Sequence, residues 1–327
     1  MIYTVTMNPA IDCSMSVGSI DTGRVNRALS ENIRFGGKGI NVSYALKNFG
    51  HASILTGFVA GFTGDALTAG LSAEGFTCDF VRLTRGDTRI NVKLESHGDD
   101  GDPDTEINAP GPTPTADEFL ILTSKLSSLS AGDAVVIAGS MPCGVPADFI
   151  RKIAKSLPDG ASLICDLSGD ALKEAVHLSP TLVKPNIHEL YELSGVPQTK
   201  ENIKDKSLVK RCADKLTETG VKNVLVTMGE DGAYYTSSTG EWGFIEPPKA
   251  PESISDGCSA VGCGDSAVAG WLIGMGITGN TELSFDGVKR TPGRRTAAEL
   301  AVLFGSASYY FGFPPSPEKL QSLSCGS

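Results

Sequence analysis

The sequence predicts an α/β fold in which a mainly parallel central sheet is covered by helices on both faces and carries a small β-sheet lid. Apolar strands alternate with helical segments along most of the 327 residues, as in repeated βα units. Glycine and polar residues follow several strands, at the edge where such sheets bind ligands. The alternation stops at about 11–34 and 88–109, where short strand patterns indicate lid strands inserted into a single domain spanning 1–327.

Composition restricts the class of protein. A hydrophobic content of 40% and a charged content of 20% are typical of a soluble globular chain. The net charge of −10 disfavours nucleic acid or an anionic membrane as a partner, because both repel an acidic surface. The apolar runs are too short to span a membrane and no basic leader precedes the first strand. We therefore expect a cytoplasmic protein.

Cysteine and histidine do not indicate a metal centre. The eight cysteines and four histidines are scattered, without the spacing of a metal site or a disulfide framework. A Ser-His-Asp hydrolase is poorly supported for the same reason. We expect reduced thiols.

Hydrophobic periodicity predicts the elements in order. In the first part of the chain we expect strands at 2–7, 53–59, 76–83, 88–95 and 105–108, an acidic turn at 98–104, and helices at 42–49 and 64–74. In the middle we expect helices at 116–129, 147–156, 171–176 and 208–219, and strands at 134–138, 162–166, 182–183 and 223–227. Towards the end we expect a turn at 228–232, strands at 233–236 and 241–246, a helix from 264, a polar surface loop at 279–295, and helices at 296–310 and 317–323.

A glycine-rich turn opens the helix that begins near residue 264. Gly262 and Gly264 bracket Cys263, and Asp265 follows directly. The amides of such a turn and the helix dipole favour an anion. A carboxylate beside an anion site is best explained as a base that accepts the proton of an attacking hydroxyl during phosphoryl transfer. The alternative is an ordinary helix start with Asp265 in its first turn.

A second glycine-rich loop opens an earlier helix. Three glycines surround Lys38, which would place a cation where the backbone can approach a ligand closely. The spacing is not that of a P-loop, and a surface lysine on a flexible loop is the alternative. Further candidates follow the predicted strands, namely Ser140, Lys184, Asn186 and Gly229.

These motifs, taken together and in order, resemble the ribokinase-like sugar kinases, in their 1-phosphofructokinase and tagatose-6-phosphate kinase branch. The resemblance spans nearly the whole chain. It is carried by TVTMNPAID (4–12), GGKGINV (36–42), TRINVK (88–93), EINAPGP (106–112), KPN with Glu189 (184–189) and GCGDS (262–266). It implies a three-layer α/β/α core with a lid over the sugar site, and a possible homodimer through the lids.

The resemblance also implies an activity, which is transfer of the ATP γ-phosphoryl group, with Mg²⁺, to a hydroxyl of a ketohexose phosphate. Asp265 corresponds to the catalytic base, and the amides of Gly262, Cys263 and Gly264 correspond to the anion hole. The positions that correspond to substrate contacts are Asp12, Gly37, Lys38, Asn41, Arg89, Asn91, Asn108 and Ser140. Those that correspond to nucleotide contacts are Lys184, Asn186, Thr227 and Gly229. Glu189 and Asn186 correspond to residues that handle Mg²⁺, through water.

Three departures from the family pattern are visible. Cys263 stands where the family usually has Ala or Ser, Ser259-Ala260 precedes the motif instead of Asn-Thr or Asn-Pro, and the loop 279–295 is longer than usual. Because the anion hole uses backbone amides, the first two should not abolish catalysis. The acceptor is either fructose 1-phosphate or tagatose 6-phosphate, and a regulator that binds sugar phosphate without catalysis is the more remote alternative.

Overall fold

The computed structural model describes residues 1–18, 20–96, 104–251, 258–279, 282–284 and 289–324. Most of the expected acidic turn at 98–104, Cys325 and parts of the loop 279–295 lie outside these residues. The described helices are too short or too polar to cross a membrane.

The elements of the first part of the chain build one edge of the core and the lid. They are β1 (Ile2–Thr6), β2 (Ala10–Val17), β3 (Ser30–Gly36), α1 (Lys38–Asn48), β4 (Ile54–Ala60), α2 (Gly61–Ala73), β5 (Thr77–Cys78), β6 (Val81–Leu83), β7 (Arg89–Ser96) and β8 (Thr105–Ile107).

The middle of the chain continues the βα alternation. Its elements are α3 (Ala116–Ser127), β9 (Ala134–Ala138), α4 (Phe149–Ser156), β10 (Ser162–Asp166), α5 (Gly169–Ala175), β11 (Leu182–Val183), α6 (Ile187–Ser194), α7 (Lys200–Lys204), α8 (Lys206–Glu218) and β12 (Asn223–Thr227).

The last part begins with a single 3₁₀ turn at Gly229–Asp231. It continues with β13 (Ala233–Ser237), β14 (Trp242–Ile245), α9 (Cys263–Gly274), β15 (Leu283–Ser284), β16 (Lys289–Arg290), α10 (Arg294–Phe311) and α11 (Pro317–Ser324).

One large sheet forms the middle layer of the molecule. Its strand order is β14-β13-β12-β11-β10-β9-β1-β4-β5, and β6 also pairs with β4. The pairs from β12 through β1 to β4 are parallel, whereas β13 and β14 add antiparallel strands at one edge. Alternate residues of β9 enter different apolar clusters, Val135 and Ile137 in one and Ala134, Val136 and Ala138 in the other. The sheet is therefore buried on both faces, and the predicted three-layer α/β/α fold with a small β-sheet lid is confirmed.

The register of the parallel strands brings their carboxyl ends to one edge. Thr6 of β1 pairs with Ala138 of β9, which pairs with Asp166 of β10. Lys184 follows β11, the next strand in the sheet. The polar side chains that come directly after these strands are thus neighbours.

Helix α9 lies in the interior, and its residues from Asp265 to Gly274 are buried. Its contact with α10 depends on small residues. A Cβ atom at Gly270 would overlap the backbone of Leu300, and one at Gly274 would overlap the backbone of Ala297. The two helices approach closely because both glycines lack a side chain, and this contact holds α9 against α10.

A separate small sheet forms the lid, with the order β3-β2-β7-β8. Strands β2 and β7 are parallel, and the other pairs are antiparallel. Directly paired residues share a face of a sheet. One row joins Arg34, Asp12 and Asn91, while the next row, on the opposite face, joins Ile33, Cys13, Val92 and Ile107. The lid therefore has a polar face and an apolar face.

The structure corrects two sequence predictions and adds one helix that was not predicted. The expected strand at 76–83 is two short strands, β5 and β6, which pair with different parts of β4. Helix α7 was not predicted, because its five residues bury no side chain and leave no apolar periodicity. The described part of 279–295 is not simply a polar surface loop, because β15 and β16 form a hairpin in which Leu283 is buried against the core.

Candidate active site

The glycine-rich turn before α9 has the conformation that its sequence predicts. Gly262 is the N-cap and has φ 74°, in the left-handed region that favours glycine. A Cβ atom there would also overlap the ring of Phe313. The Cys263 amide donates to the Ala260 carbonyl at 3.3 Å. The Cys263 amide, which was expected in the anion hole, is therefore engaged. The amides of Gly264 and Asp265 lie in the first turn of the helix, where amides have no intrahelical acceptors, and they can bind an anion.

Asp265 lies just inside this turn and is only 4% exposed. The Asn41 side chain donates from Nδ2 to its Oδ2 at 2.7 Å. Burial, reinforced by the negative charge of Asp166, raises the pKa of Asp265 to about 6, against the opposing effects of Asn41, Lys38 and Lys184. A carboxylate with this pKa is ionised at neutral pH and is a stronger base than an ordinary aspartate.

Asp166 is a site residue that the sequence analysis missed. Its side chain is 1% exposed, and Oδ1 lies 3.1 Å from Lys184 Nζ and 3.6 Å from Lys38 Nζ. Lys184 also lies over the first turn of α9, since a Cβ atom at Gly264 would be 3.3 Å from its Nζ. Two cations therefore converge beside the predicted base. The available signal was a lone aspartate at the carboxyl end of a buried apolar strand.

The predicted metal residues cap a helix. Asn186 Oδ1 accepts from the Glu189 amide at 2.9 Å, and Glu189 Oε2 accepts from the Asn186 amide at 2.8 Å, which is a capping box. Glu189 is also close enough to Lys38 to raise its pKa, although Asp166 is the larger cause. The capping box does not use Glu189 Oε1.

The side chain of Cys263 is a hydrogen-bonded thiol and not a thiolate. Its Sγ donates to the Ser259 carbonyl at 3.4 Å. Burial, together with the charge of Asp265, raises the pKa of Cys263 to about 11. The helix dipole does not outweigh these two effects, so the thiol is protonated at neutral pH.

A cavity of about 810 Å³ opens on the other side of the turn. It lies between β12–β13 and α9–α10, and its lining is mostly small or apolar. Thr227, Gly229, Cys263 and Gly264, all predicted from the sequence, line it together with Pro247, Cys258 and the aromatic side chain of Tyr309, which were not. The size and lining suit a nucleotide whose phosphates point towards α9.

The lid side of the site contains the predicted pair Asp12 and Asn91. Asn91 Nδ2 donates to Asp12 Oδ1 at 2.8 Å, while Asn91 Oδ1 is buried and accepts no hydrogen bond from the described residues. Gly36, which was not singled out, leaves room for the Asp12 carboxylate. Gly37 has φ 126°, and a Cβ atom there would be 2.6 Å from Thr6 Cγ2. Gly36 therefore makes room inside the lid, and Gly37 lets the lid meet the core closely.

The other predicted substrate residues are less central. Arg89 donates to the carbonyls of Asn8 at 3.0 Å and Ala109 at 3.3 Å, so it braces the segment that leaves the lid. Asn108 and Ser140 are exposed. A Cβ atom at Gly139 would be 3.7 Å from Lys38 Cβ, which puts the neighbouring Ser140 near the cations, whereas Asn108 follows β8 at the lid edge.

A phosphotransferase with an alcohol acceptor requires such an arrangement, in which a buried carboxylate lies beside helix amides, two cations and a cavity of nucleotide size. The chain belongs to the pfkB family of carbohydrate kinases, whose pattern matches residues 4–275. It therefore transfers a phosphoryl group from ATP to a sugar hydroxyl.

Individual relatives agree with this family. The chain is 37% identical over 287 residues to a 1-phosphofructokinase of Borreliella burgdorferi, covering 87% of this chain and 88% of the relative. It is 40% identical over 278 residues to that of Bacillus subtilis, covering 84% and 86%. Among solved structures it is similar to phosphofructokinase-2 from Escherichia coli in complex with fructose-6-phosphate, with a TM-score of 0.83, 25% identity and coverage of 99% and 98%.

Proposed function

We propose that this kinase phosphorylates fructose 1-phosphate to fructose 1,6-bisphosphate and that Asp265 is its catalytic base. The observation that carries the proposal is the position of Asp265, buried at the end of α9 with its pKa raised to about 6. The relatives named 1-phosphofructokinase favour fructose 1-phosphate over tagatose 6-phosphate. A binding protein without catalysis would gain nothing from a carboxylate at an anion site.

The chemistry follows from the positions of the charged groups. Asp265 accepts the proton of the sugar hydroxyl as that oxygen forms a bond to the γ-phosphorus, and the bond from phosphorus to the ADP oxygen breaks. The amides of Gly264 and Asp265, with Lys184, stabilise charge on the transferred group. Lys38 lies between Asp166 and Asp265, where it draws the acceptor and the phosphates together. The lid residues Asp12 and Asn91 orient the sugar.

The residues present fit a magnesium ion that enters with the nucleotide. Asp166 Oδ2 is buried and accepts no hydrogen bond from the described part of the chain, whereas Oδ1 pairs with Lys184 and Lys38. The capping box of α6 does not use Glu189 Oε1. The described residues hold no cluster of three or more metal-ligating side chains. This suits Mg²⁺, which uses one or two carboxylates plus phosphates and water. When bound, the ion neutralises charge on the phosphates.

We expect two copies to associate through the apolar faces of their lids. In the row that crosses the lid, Ile33 is 58% exposed and Ile107 is 59% exposed, and Ile90 on the same face is 44% exposed. Exposed apolar side chains grouped on one face in this way mark an interaction surface. Ile33→Lys should turn a dimer into a monomer in analytical ultracentrifugation, whereas Val25→Lys, at an exposed residue outside the strands, serves as the control.

A coupled assay for ADP tests the proposed reaction. The purified chain is given ATP and Mg²⁺ with fructose 1-phosphate, tagatose 6-phosphate, fructose 6-phosphate or fructose. We expect the highest kcat/KM with fructose 1-phosphate, and fructose should be poor because Lys38 and the neighbouring cations would then lack a phosphate partner. A higher kcat/KM with tagatose 6-phosphate would contradict the substrate assignment. Equal, negligible turnover with every sugar would favour the alternative that the chain is a regulator, which binds sugar phosphate without catalysis.

A further inference from the structure

Arg34 occupies an unusual position between the lid and the core. It belongs to the lid strand β3, where it pairs with Asp12 on the polar face. Its guanidinium carbon lies 4.2 Å from the ring centre of Phe313 and 5.5 Å from that of Tyr44. Cations held over aromatic rings in this way are stabilised by the ring quadrupoles. The side chain is thus held on two sides by groups far apart in the sequence.

One end of this guanidinium is bonded to the amide next to the proposed base. Arg34 Nη2 donates to Asn41 Oδ1 at 3.2 Å, and Asn41 Nδ2 donates to Asp265 Oδ2 at 2.7 Å. An asparagine amide has one acceptor end and one donor end. Because Arg34 is a donor only, its bond is compatible with a single orientation of Asn41, which directs the amide nitrogen at the carboxylate.

The orientation of Asn41 determines how Asp265 can act. With Oδ2 engaged by Asn41, the acceptor hydroxyl must meet Oδ1. If Asn41 turned over, its carbonyl oxygen would face a carboxylate oxygen, which is repulsive, and the aspartate would lose its only described side-chain donor. A small misplacement of a catalytic group lowers the rate strongly.

Arg34 also contacts an aromatic ring that packs against the predicted anion site. The Phe313 ring that covers its guanidinium also fills the space beside Gly262. Arg34 therefore contacts Phe313, which packs against the glycine-rich turn before α9. Through Asn41 it is also linked to Asp265.

We propose that Arg34 is a positioning residue that couples the lid to Asp265 through the amide of Asn41. The proposal rests on the function proposed above, in which Asp265 is the base. Other charged groups around Asp265 are Asp166 at the end of β10, Lys184 after β11 and Lys38 on α1. The charge of Arg34 also interacts with Asp265 directly, but Arg34 differs from these groups because a hydrogen-bonded amide joins it to the carboxylate.

A double-mutant cycle with Arg34→Met and Asn41→Ala tests this coupling. Methionine keeps the apolar stem of the side chain but removes the charge and the donor. We expect Arg34→Met to lower kcat by about 10- to 100-fold with little change in the KM for ATP. Arg34→Lys should recover part of the loss. Because Arg34 acts through Asn41, adding Arg34→Met to Asn41→Ala should change kcat by less than about threefold.

The controls separate this proposal from others. Arg82→Met removes an exposed arginine that pairs with Asp65 outside the site, and it should keep the parent kcat. If the two effects on kcat multiply in the double variant, Arg34 does not act through Asn41 and the proposal is wrong. If Arg34→Met does not fold, the same cycle is run with Arg34→Lys, and the same two outcomes decide. If the unmodified chain phosphorylates none of the sugar phosphates, the proposed function fails instead.

Discussion

Asp265→Asn should remove activity and at the same time stabilise the folded chain at neutral pH. The loss of a positioned base lowers kcat by a factor on the order of 10²–10⁴. Asparagine still accepts the Asn41 hydrogen bond through its side-chain oxygen, so the fold and ATP binding should be kept. The effects on rate and stability are opposite because the ionised carboxylate of Asp265 is needed for catalysis but destabilises the folded chain.

The size of the stability gain follows from the pKa of Asp265. Burial raises it from 3.8 to about 6, so the folded chain binds this proton more tightly than the unfolded chain does. Stability therefore falls as pH rises from about 4 to about 6, and the loss at higher pH amounts to roughly 3 kcal/mol. Asparagine cannot ionise, so the variant escapes this loss. The gain should be about half as large at pH 5 as at pH 8, because the folded carboxyl group is largely protonated at pH 5.

Urea unfolding of the parent and the variant at pH 5 and pH 8, with coupled assays on the same preparations, measures both effects. Asp166→Asn is the matched comparison. It removes the counter-ion of Lys184, whose side chain is only 5% exposed, and should destabilise the chain by about 3–5 kcal/mol. The reasoning is refuted if Asp265→Asn is no more stable than the parent at pH 8, or if its kcat stays within a few-fold of the parent.

Three further outcomes are expected. The kcat/KM of the parent should decline as pH falls through about 6, because protonation of Asp265 removes the base; a profile flat down to pH 5 would contradict this assignment. Cys263, whose pKa is raised to about 11, should react with iodoacetamide more slowly at pH 7.5 than the exposed Cys143, as mass mapping would show, and Cys263→Ala should remain active. Gly262→Ala should lower kcat and cost about 1–3 kcal/mol in urea unfolding, because of its φ of 74° and the Phe313 ring; parental values for both would mean that the turn adapts.

Much of the core was predictable because buried strands carry a strong local signal. The strands at 134–138, 162–166, 182–183 and 223–227 have the predicted bounds, since runs of apolar, mostly β-branched residues leave little choice in a sheet buried on both faces. The break at 76–83 was not predictable, because it depends on how β4 pairs with two separate segments. Likewise, Leu283 carries no local sign that its hairpin reaches the core.

The same distinction applies to the site. Gly262, Gly264 and Asp265 are contiguous, so their chemistry is visible in the sequence. Asp166 was missed because its role depends on the sheet, which places Lys184 beside it. Arg34 was missed because its contacts depend on the fold: Asn41 lies on the next element, α1, and Phe313 comes from a distant segment. The roles of the predicted substrate and nucleotide residues remain predictions.

Because α9 is deeply buried, the proposed residues for phosphoryl transfer and the proposed acceptor contacts of the lid lie on different elements. Phosphoryl chemistry depends on a helix locked into the interior by glycine contacts with α10, so substitutions there are intolerable for reasons unrelated to any sugar. The proposed acceptor contacts of the lid, Asp12 and Asn91, lie on β2 and β7, outside that interior. Substitutions around them should exchange one acceptor for another while α9 stays intact. Arg34 on β3 is the exception, because it is proposed to position the base. Directed evolution aimed at new sugars should accordingly find its useful changes in β2 and β7.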